Sequence, residues 1–193
     1  MRRKKYILAI AGSSRKGGNT DMLLDEFLRG AKGAGVKTEK VALRDLNIKH
    51  CTSCSKCFKT GRCVIKDDMR ALYPKLVKAD ILVVTSPVAF SGIFSRPKTM
   101  IDRCQALWAR RHILGKDLRG GRRNMIGVFI STGGSNSKMT FRGSIDTMTT
   151  FFNTLQRARK YRLLFGSIDK KGDIKRLKGA LMSAYKLGKR ITG

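Results

Sequence analysis

The 193 residues suffice for one domain of ordinary size, and at 41% hydrophobic they can bury a substantial core, which speaks against intrinsic disorder. The charge is lopsided, with 42 Lys and Arg against 13 Asp and Glu for a formal net charge of +29. The longest apolar runs, Ile7–Ala11, Ile81–Val84 and Met125–Ile130, fall far short of the roughly 20 residues that a membrane-spanning helix needs, which predicts no membrane partner.

Met1–Lys5 carries the charge of a secretion signal, but the apolar stretch behind it is too short and lacks a convincing cleavage site. A cytoplasmic location is the expectation. Tyr6–Ala11 reads as the first strand, and Asp21–Lys32 as the first helix, with Met22, Leu23, Phe27 and Leu28 at helical spacing before Gly33 and Gly35. Val36–Ala42 is the second strand. Residues 43–66 show neither period. Asp67 or Asp68 is placed to cap a helix running through Lys78, and Ile81–Thr85 has the composition of a fully buried strand, followed by a loop over Ser86–Ser95. Pro97 suits the first turn of a helix reaching about Arg110. Met125–Ser131 is the fourth strand, Ser144–Arg159 a helix, Arg162–Phe165 a fifth strand and Asp173–Arg190 the closing helix. Strands alternating with helices, without repeat or linker, predict a single α/β domain over residues 1–193.

In such a sheet, ligands bind beyond the C-terminal strand ends, where strand order reverses. Three loops fall there. Gly12–Thr20 offers glycines, the side chains of Ser13, Asn19 and Thr20, the charges of Arg15 and Lys16, and a helix N-terminus, all suited to a phosphate. It matches neither the triphosphatase loop nor the dinucleotide fingerprint. Ser86–Gly92, with Pro87, Val88, Ala89, Phe90 and Ser91, offers backbone polar groups and an aromatic face to a flat heterocycle. Thr132, Gly133 and Gly134 are small enough to let a ring approach the backbone.

These loops, with Lys98 and the Asp102-Arg103 pair, resemble the flavodoxin-like NAD(P)H-dependent FMN reductase superfamily. More narrowly, Cys51-Thr-Ser-Cys54-Ser-Lys-Cys57-Phe-Lys-Thr-Gly-Arg-Cys63, followed by Asp67-Asp68-Met69, resembles the iron–sulfur flavoproteins. The resemblance covers residues 6 to about 135 by motif. It implies a three-layer sandwich with a five-stranded parallel sheet in the order 2-1-3-4-5. It also implies FMN on Ser13, Arg15, Gly18, Asn19, Thr20, Pro87, Val88, Ala89, Phe90, Ser91, Thr132, Gly133 and Gly134, and a [4Fe–4S] cluster on Cys51, Cys54, Cys57 and Cys63. Position 89, often Tyr in the family, is Ala89.

An odd number of cysteines, five, without a secretion signal argues for thiolate chemistry in a reducing compartment. Two-residue spacing lets successive sulfurs turn toward one centre, and Gly61 permits the bend that returns Cys63, within a cluster loop at about 47–66. Zinc is the main rival, although it more often draws two knuckles separated by a longer stretch. Four thiols without metal are a third reading. Cys104, among Met100, Ile101 and Leu107, reads as core, Trp108 as packing or a pocket border, and Asp102 with Arg103 as a structural ion pair.

Basic residues concentrate between Arg96 and Arg123 and again over Arg157–Arg190. Steering of an acidic redox partner such as ferredoxin is the leading reading. Nucleic-acid binding ranks below a basic surface without a partner, since no recognition helix or base-stacking array accompanies the charge. FMN redox chemistry coupled to a [4Fe–4S] cluster is therefore expected, with NAD(P)H as the other electron source and a homo-oligomer implied by the resemblance. The alternatives are a cluster-free NAD(P)H-dependent FMN or quinone reductase and a flavin-free basic protein.

Overall fold

Apolar runs fill the centre of a parallel sheet in the computed structural model, which describes residues 4–33, 35–122, 124–137 and 139–193. The strands are β1 (Lys5–Ala11), β2 (Val36–Ala42), β3 (Ile81–Ala89), β4 (Gly92–Ile93), β5 (Ile126–Thr132) and β6 (Arg159–Phe165), in the order β2-β1-β3-β5-β6 with β4 paired to β3 alone. The helices are α1 (Asn19–Ala31), α2 (Cys57–Thr60), α3 (Met69–Lys78), α4 (Ser95–Arg103), α5 (Gln105–His112), α6 (Arg142–Thr154) and α7 (Ala180–Thr192). Short 3-10 turns lie at Leu43–Asp45 and Asp173–Lys175.

Alternate residues of each central strand point to opposite faces, so the sheet carries two cores. Ile7, Ala9, Val83, Val128 and Ile130 meet Leu23, Leu24 and Phe27 of α1 and Ala184, Leu187 and Ile191 of α7. Leu8, Ile10, Leu82, Val84 and Phe129 meet Leu72 and Leu76 of α3, Met100, Leu107, and Met148 and Phe152 of α6. This is the expected flavodoxin-like three-layer sandwich, and its five parallel strands run in the expected order. The sixth strand, β4, is an addition. Phe90 and Ser91 both adopt positive φ (48° and 58°) and make a two-residue hairpin turn that folds the chain back onto β3, pairing Ala89 with Gly92.

Other boundaries shift for local reasons. The helix expected from Pro97 to Arg110 is broken at Cys104, whose N–H is shared between the carbonyls of Met100 (3.2 Å) and Ile101 (2.9 Å) and tightens the last turn of α4. The helix expected through Arg159 stops at Thr154, because Gln156 turns left-handed (φ 56°) and Arg157 swings inward, so β6 begins at Arg159 rather than Arg162. The closing helix begins at Ala180, not Asp173, after Gly172 and Gly179 turn at φ 97° and 80°. Asp173 instead accepts the N–H of Lys170 (2.7 Å).

Two arginines finish α3. A helix leaves four C-terminal carbonyls without a partner. The Arg157 guanidinium donates to the carbonyls of Leu76 and Ala79, and Arg122 to those of Val77 and Lys78, so each of the four receives a hydrogen bond. Burial, aided by Arg122, pushes the Arg157 pKa down to about 9, which leaves the donor protonated at neutral pH.

Helices α1 and α7 touch at their backbones. A Cβ on Gly30 would lie 2.0 Å from the Tyr185 carbonyl oxygen, and one on Gly188 would lie 2.1 Å from that of Phe27. Gly188→Ala gains about 1 kcal/mol of helix propensity, but the clash is with backbone that cannot yield locally. We expect a net destabilisation of about 1–3 kcal/mol, read as a lowered urea midpoint with unchanged slope.

Candidate functional site

The ends of β1, β3 and β5 meet where the chain reverses its direction across the sheet, and a cleft of about 240 Å³ opens there. Gly12 makes the approach possible. Its N–H donates to the Thr85 carbonyl (3.0 Å), and any Cβ would fall 2.2 Å from that oxygen. Beyond it the Ser13 hydroxyl accepts the Arg15 N–H (3.1 Å). Gly17, at φ 65°, donates to the Asp21 carboxylate (3.0 Å), which Arg44 also holds (3.0 Å). The first-turn N–H groups of α1 lack intrahelical acceptors, and the N-terminal dipole end favours an anion. Thr20, 2% exposed, lines the cleft among them.

Ser13, Arg15, Gly18, Asn19, Thr20, Pro87, Val88, Thr132, Gly133 and Gly134 all line this cleft. Ala89, Phe90 and Ser91 do not. The β3–β4 hairpin carries them away, and Phe90 stands fully exposed at its tip. The aromatic ring at the cleft is that of Phe94, whose N–H is fixed by the Ser86 hydroxyl (3.1 Å). Asn19 lines the cleft and also has a structural role. Its amide donates to the Lys170 carbonyl (2.9 Å) and accepts the Gly172 N–H (2.9 Å), pinning the loop after β6. That loop brings Ile168, Asp169 and Lys171 to the cleft, which the sequence reading missed together with Ser14. The signal was available, since this loop also follows the C-terminal end of a parallel strand. Gly133 ties it in by accepting the Ile168 N–H (2.9 Å).

Cys51, Cys54, Cys57 and Cys63 line one second cavity of about 340 Å³, walled by Phe58, Val64, Ile65, Arg103 and Ala106. Ser53 and Ser55, both left-handed (φ 52° and 55°), turn the chain between the first three cysteines, and Gly61 (φ 69°) returns it to Cys63. Burial pushes the Cys57 thiol up, and the neighbouring Cys63, Cys51 and Cys54 push it further. The Lys56 N–H pulls the Cys54 thiol down. Among the described residues, no three His, Cys, Asp or Glu side chains converge as tightly as one metal ion requires. Cys104 is core, 3% exposed, and burial raises its thiol pKa.

A clasp closes this loop at its base. Arg103 forks onto Asp67 (2.5 and 3.1 Å), with both side chains essentially inaccessible to water. Arg103 also donates to the Lys49 carbonyl (2.8 Å), while Asp67 accepts the N–H groups of Lys49 (2.9 Å) and Met69 (3.1 Å). The expected pairing of Arg103 with Asp102 is therefore corrected: Asp102 pairs with Lys98 (2.7 Å), one helical turn back on α4. Short helix α2 is held to α5 by the ring of Phe58 against Trp108 (6.1 Å), and Trp108 also stacks on His112 (5.3 Å). Burial pushes the Asp67 carboxyl up, but Arg103 and the two N–H donors outweigh it and hold its pKa below the usual carboxylate range.

Residues 6–156 match the family described as NADPH-dependent FMN reductase. An iron–sulfur flavoprotein of Methanocaldococcus jannaschii is 32% identical over 131 residues, 68% of this chain and 63% of the relative. One from Methanosarcina thermophila is 31% identical over 131 residues, 68% of this chain and 64% of the relative. The chain thus spans less than two thirds of the length of these archaeal relatives. An NAD(P)H-dependent FMN-containing oxidoreductase of Bacillus subtilis is 25% identical over 95% of this chain and 97% of its own length. Among solved structures, a flavone reductase superposes with a TM-score of 0.72 at 24% identity, over 97% of this chain and 62% of that one, a likeness of fold. No helix among the described residues is long and apolar enough to cross a membrane.

Because the folded Asp67 carboxyl loses its proton at lower pH than the unfolded one, the clasp contributes fully above the ordinary carboxylate range. It fades as pH falls through the folded value. Asp67→Asn leaves Arg103 buried and uncompensated, at a cost of about 3–5 kcal/mol. Trp108, the single tryptophan, reports the docking of α2. Its emission should shift red in Asp67→Asn at neutral pH, and the acid transition expected of the parent below the carboxylate range should be absent from the variant.

Proposed function

The chain belongs to the NADPH-dependent FMN reductase family, and from that premise we propose that it is an FMN-dependent oxidoreductase of the iron–sulfur flavoprotein kind. The observation that carries the finer reading is the convergence of Cys51, Cys54, Cys57 and Cys63 on one cavity, in a chain that also has the cleft at its strand ends.

The cleft residues fit the flavin phosphate. The N-terminus of α1 offers N–H donors and a favourable dipole end, Thr20 adds a hydroxyl, and Arg15 and Lys171 add positive charge. Pro87, Val88, Phe94, Thr132, Gly133 and Gly134 would border the ring. The donor set in the second cavity, four thiols and no imidazole, fits an iron–sulfur cube. Zinc also takes four thiolates, each at about 2.3 Å from one ion, and is the rival centre for the same donor set. Bound FMN would supply two-electron chemistry and the cluster one-electron exchange.

This chain's own residues would do the placing. Helix α4 links the two cavities, with Phe94 at its start lining the cleft and Asp102 and Arg103 at its end lining the thiol cavity. Nine residues at 1.5 Å each set a spacing of about 13 Å. Apolar Phe58, Val64, Ile65 and Ala106 would limit water around the thiolates, and Lys56 would offset part of their charge. We further propose NAD(P)H or an acidic carrier such as ferredoxin as electron source, a homo-oligomeric assembly, and the reducing cytoplasm as compartment. A cluster-free NAD(P)H-dependent reductase is the second reading, favoured by the near-full-length similarity to the Bacillus subtilis protein.

Protein purified without oxygen should carry FMN and about four iron atoms with matching acid-labile sulfide per chain. Cys57→Ala should lose the iron and keep the flavin. Zinc, or no metal with full NAD(P)H-dependent activity, would establish the second reading instead. Thr20→Val should weaken FMN binding by about tenfold or more, the loss of one hydrogen bond to a charged group, measured by fluorescence titration.

A further inference from the structure

Cys63 lines a second and larger cavity, a groove of about 610 Å³ between α3 and α5 that shares no residue with the cleft at the strand ends. Its volume falls in the range of about 300–1,000 Å³ usual for small-molecule sites. Apolar groups make the floor: Tyr73, Pro74 and Val77 from α3, Ala106 and Leu107 from α5. Cations make the rim: Arg62 from the cysteine loop, Arg70 and Lys78 from α3, and Arg110 from α5. No acidic residue lines the groove, and none of these four cations takes part in an ion pair among the described residues.

Several other cations are spent inside the molecule. Arg103 is paired with Asp67, Arg111 donates to the carbonyls of Asn153 and Thr154, and Arg122 caps α3. The rim cations are exposed and uncommitted. The end wall is also built. Gly61, at φ 69°, lets the cysteine loop approach α5 so closely that a Cβ there would sit 3.1 Å from that of Arg110. Tyr73 is locked from below by its hydroxyl, which donates to the Arg103 carbonyl (2.8 Å).

We propose that this groove binds a small amphipathic organic anion, an aromatic body carrying a carboxylate or phosphate group. The apolar floor would take the ring, and guanidinium groups from α3 and α5 would take the anion in forked hydrogen bonds. Positive charge alone would suit any anion, and this chain carries 42 Lys and Arg. The apolar floor beneath a rim of unpaired cations separates the groove from the rest of the surface, and its size selects a small molecule over a protein face.

The test uses the full chain loaded with one equivalent of FMN and freed of excess flavin, so that the flavin phosphate position is filled and the groove is not, and isothermal titration with three probes. These are 1-naphthyl phosphate, 1-naphthol as its uncharged body, and inorganic phosphate as its charge. Naphthyl phosphate should bind at one site per chain, at least about tenfold more tightly than either fragment. The double variant Arg70→Gln with Arg110→Gln should remove at least about tenfold of that affinity. Arg159→Gln with Lys160→Gln, exposed positions on β6, removes the same charge and should change it by less than twofold. Equal binding of naphthyl phosphate and inorganic phosphate, or equal losses in the two double variants, would overturn the proposal in favour of diffuse attraction. FMN content and any metal content unchanged from the parent in both variants ensure that a loss of binding is read at the groove and not at the redox centres.

Discussion

Everything that the cysteine loop does depends on one buried ion pair. Asp67 and Arg103 sit out of water, and such a pair is stable only when its remaining polar atoms are also engaged. Here the backbone of Lys49 supplies both a donor and an acceptor and Met69 a further donor, while the buried Arg103 Nε is left without a partner among the described residues. The pair therefore fixes three chain segments at once: the entry to the loop, its exit into α3, and the last turn of α4. A second contact repeats the closure, with Asn47 donating to Asp68 (2.7 Å). The four thiols share a cavity because their two chain ends have no freedom to part. Arg103 is also the end of the helix whose start borders the cleft, so the same contact sets the relation between the two cavities.

The surplus of cations has a structural share that its distribution along the chain conceals. Thirteen acids cannot pair 42 bases, and several arginines turn instead to backbone carbonyls. Arg122 and Arg157 take the end of α3, Arg111 the end of α6, and Arg44 the Ser13 carbonyl while also pairing with Asp21. Guanidinium suits this work, because it stays charged and its forked donors span adjacent carbonyls at a helix C-terminus, where the dipole also favours a cation. The stretch from Arg96 to Arg123 is consequently less of a free surface than its composition suggests; Arg123 itself lies outside the described residues.

Continuous apolar runs in β1, β3 and β5, buried on both faces, made the sheet legible in the sequence, and the loops that follow those strands marked the ligand edge. What escaped was set by non-local contact. Nothing local distinguishes Phe90 from Phe94; only the hairpin, with two left-handed residues in its turn, sends one to solvent and the other to the cleft. Asn19 carries donors and an acceptor that suit a phosphate loop, yet one N–H and its carbonyl oxygen are taken up by residues more than 150 positions away. Arg103 beside Asp102 looked like a pair, although neighbours in a helix point in different directions and its partner is 36 residues back. The four cysteines were legible as a group because their spacing is short and the chain between them is too small to form any core of its own.

The closed base of the cysteine loop has a consequence for how this architecture varies. Lys49 and Asp67 are already in hydrogen-bond contact, so residues 50–66 leave and rejoin the body at one point. Holding the ends of 17 residues together costs about 2.5 kcal/mol in loop entropy, beyond a constant. No strand of the sheet passes through that segment, and none of its residues lines the cleft. A turn of a few residues could bridge the base and leave the ligand edge whole, but it would uncover the face of α5 on which Phe58 and Gly61 pack. The thiol-bearing lobe and the surface of α5 beneath it are therefore coupled: a chain without the one needs a polar face on the other.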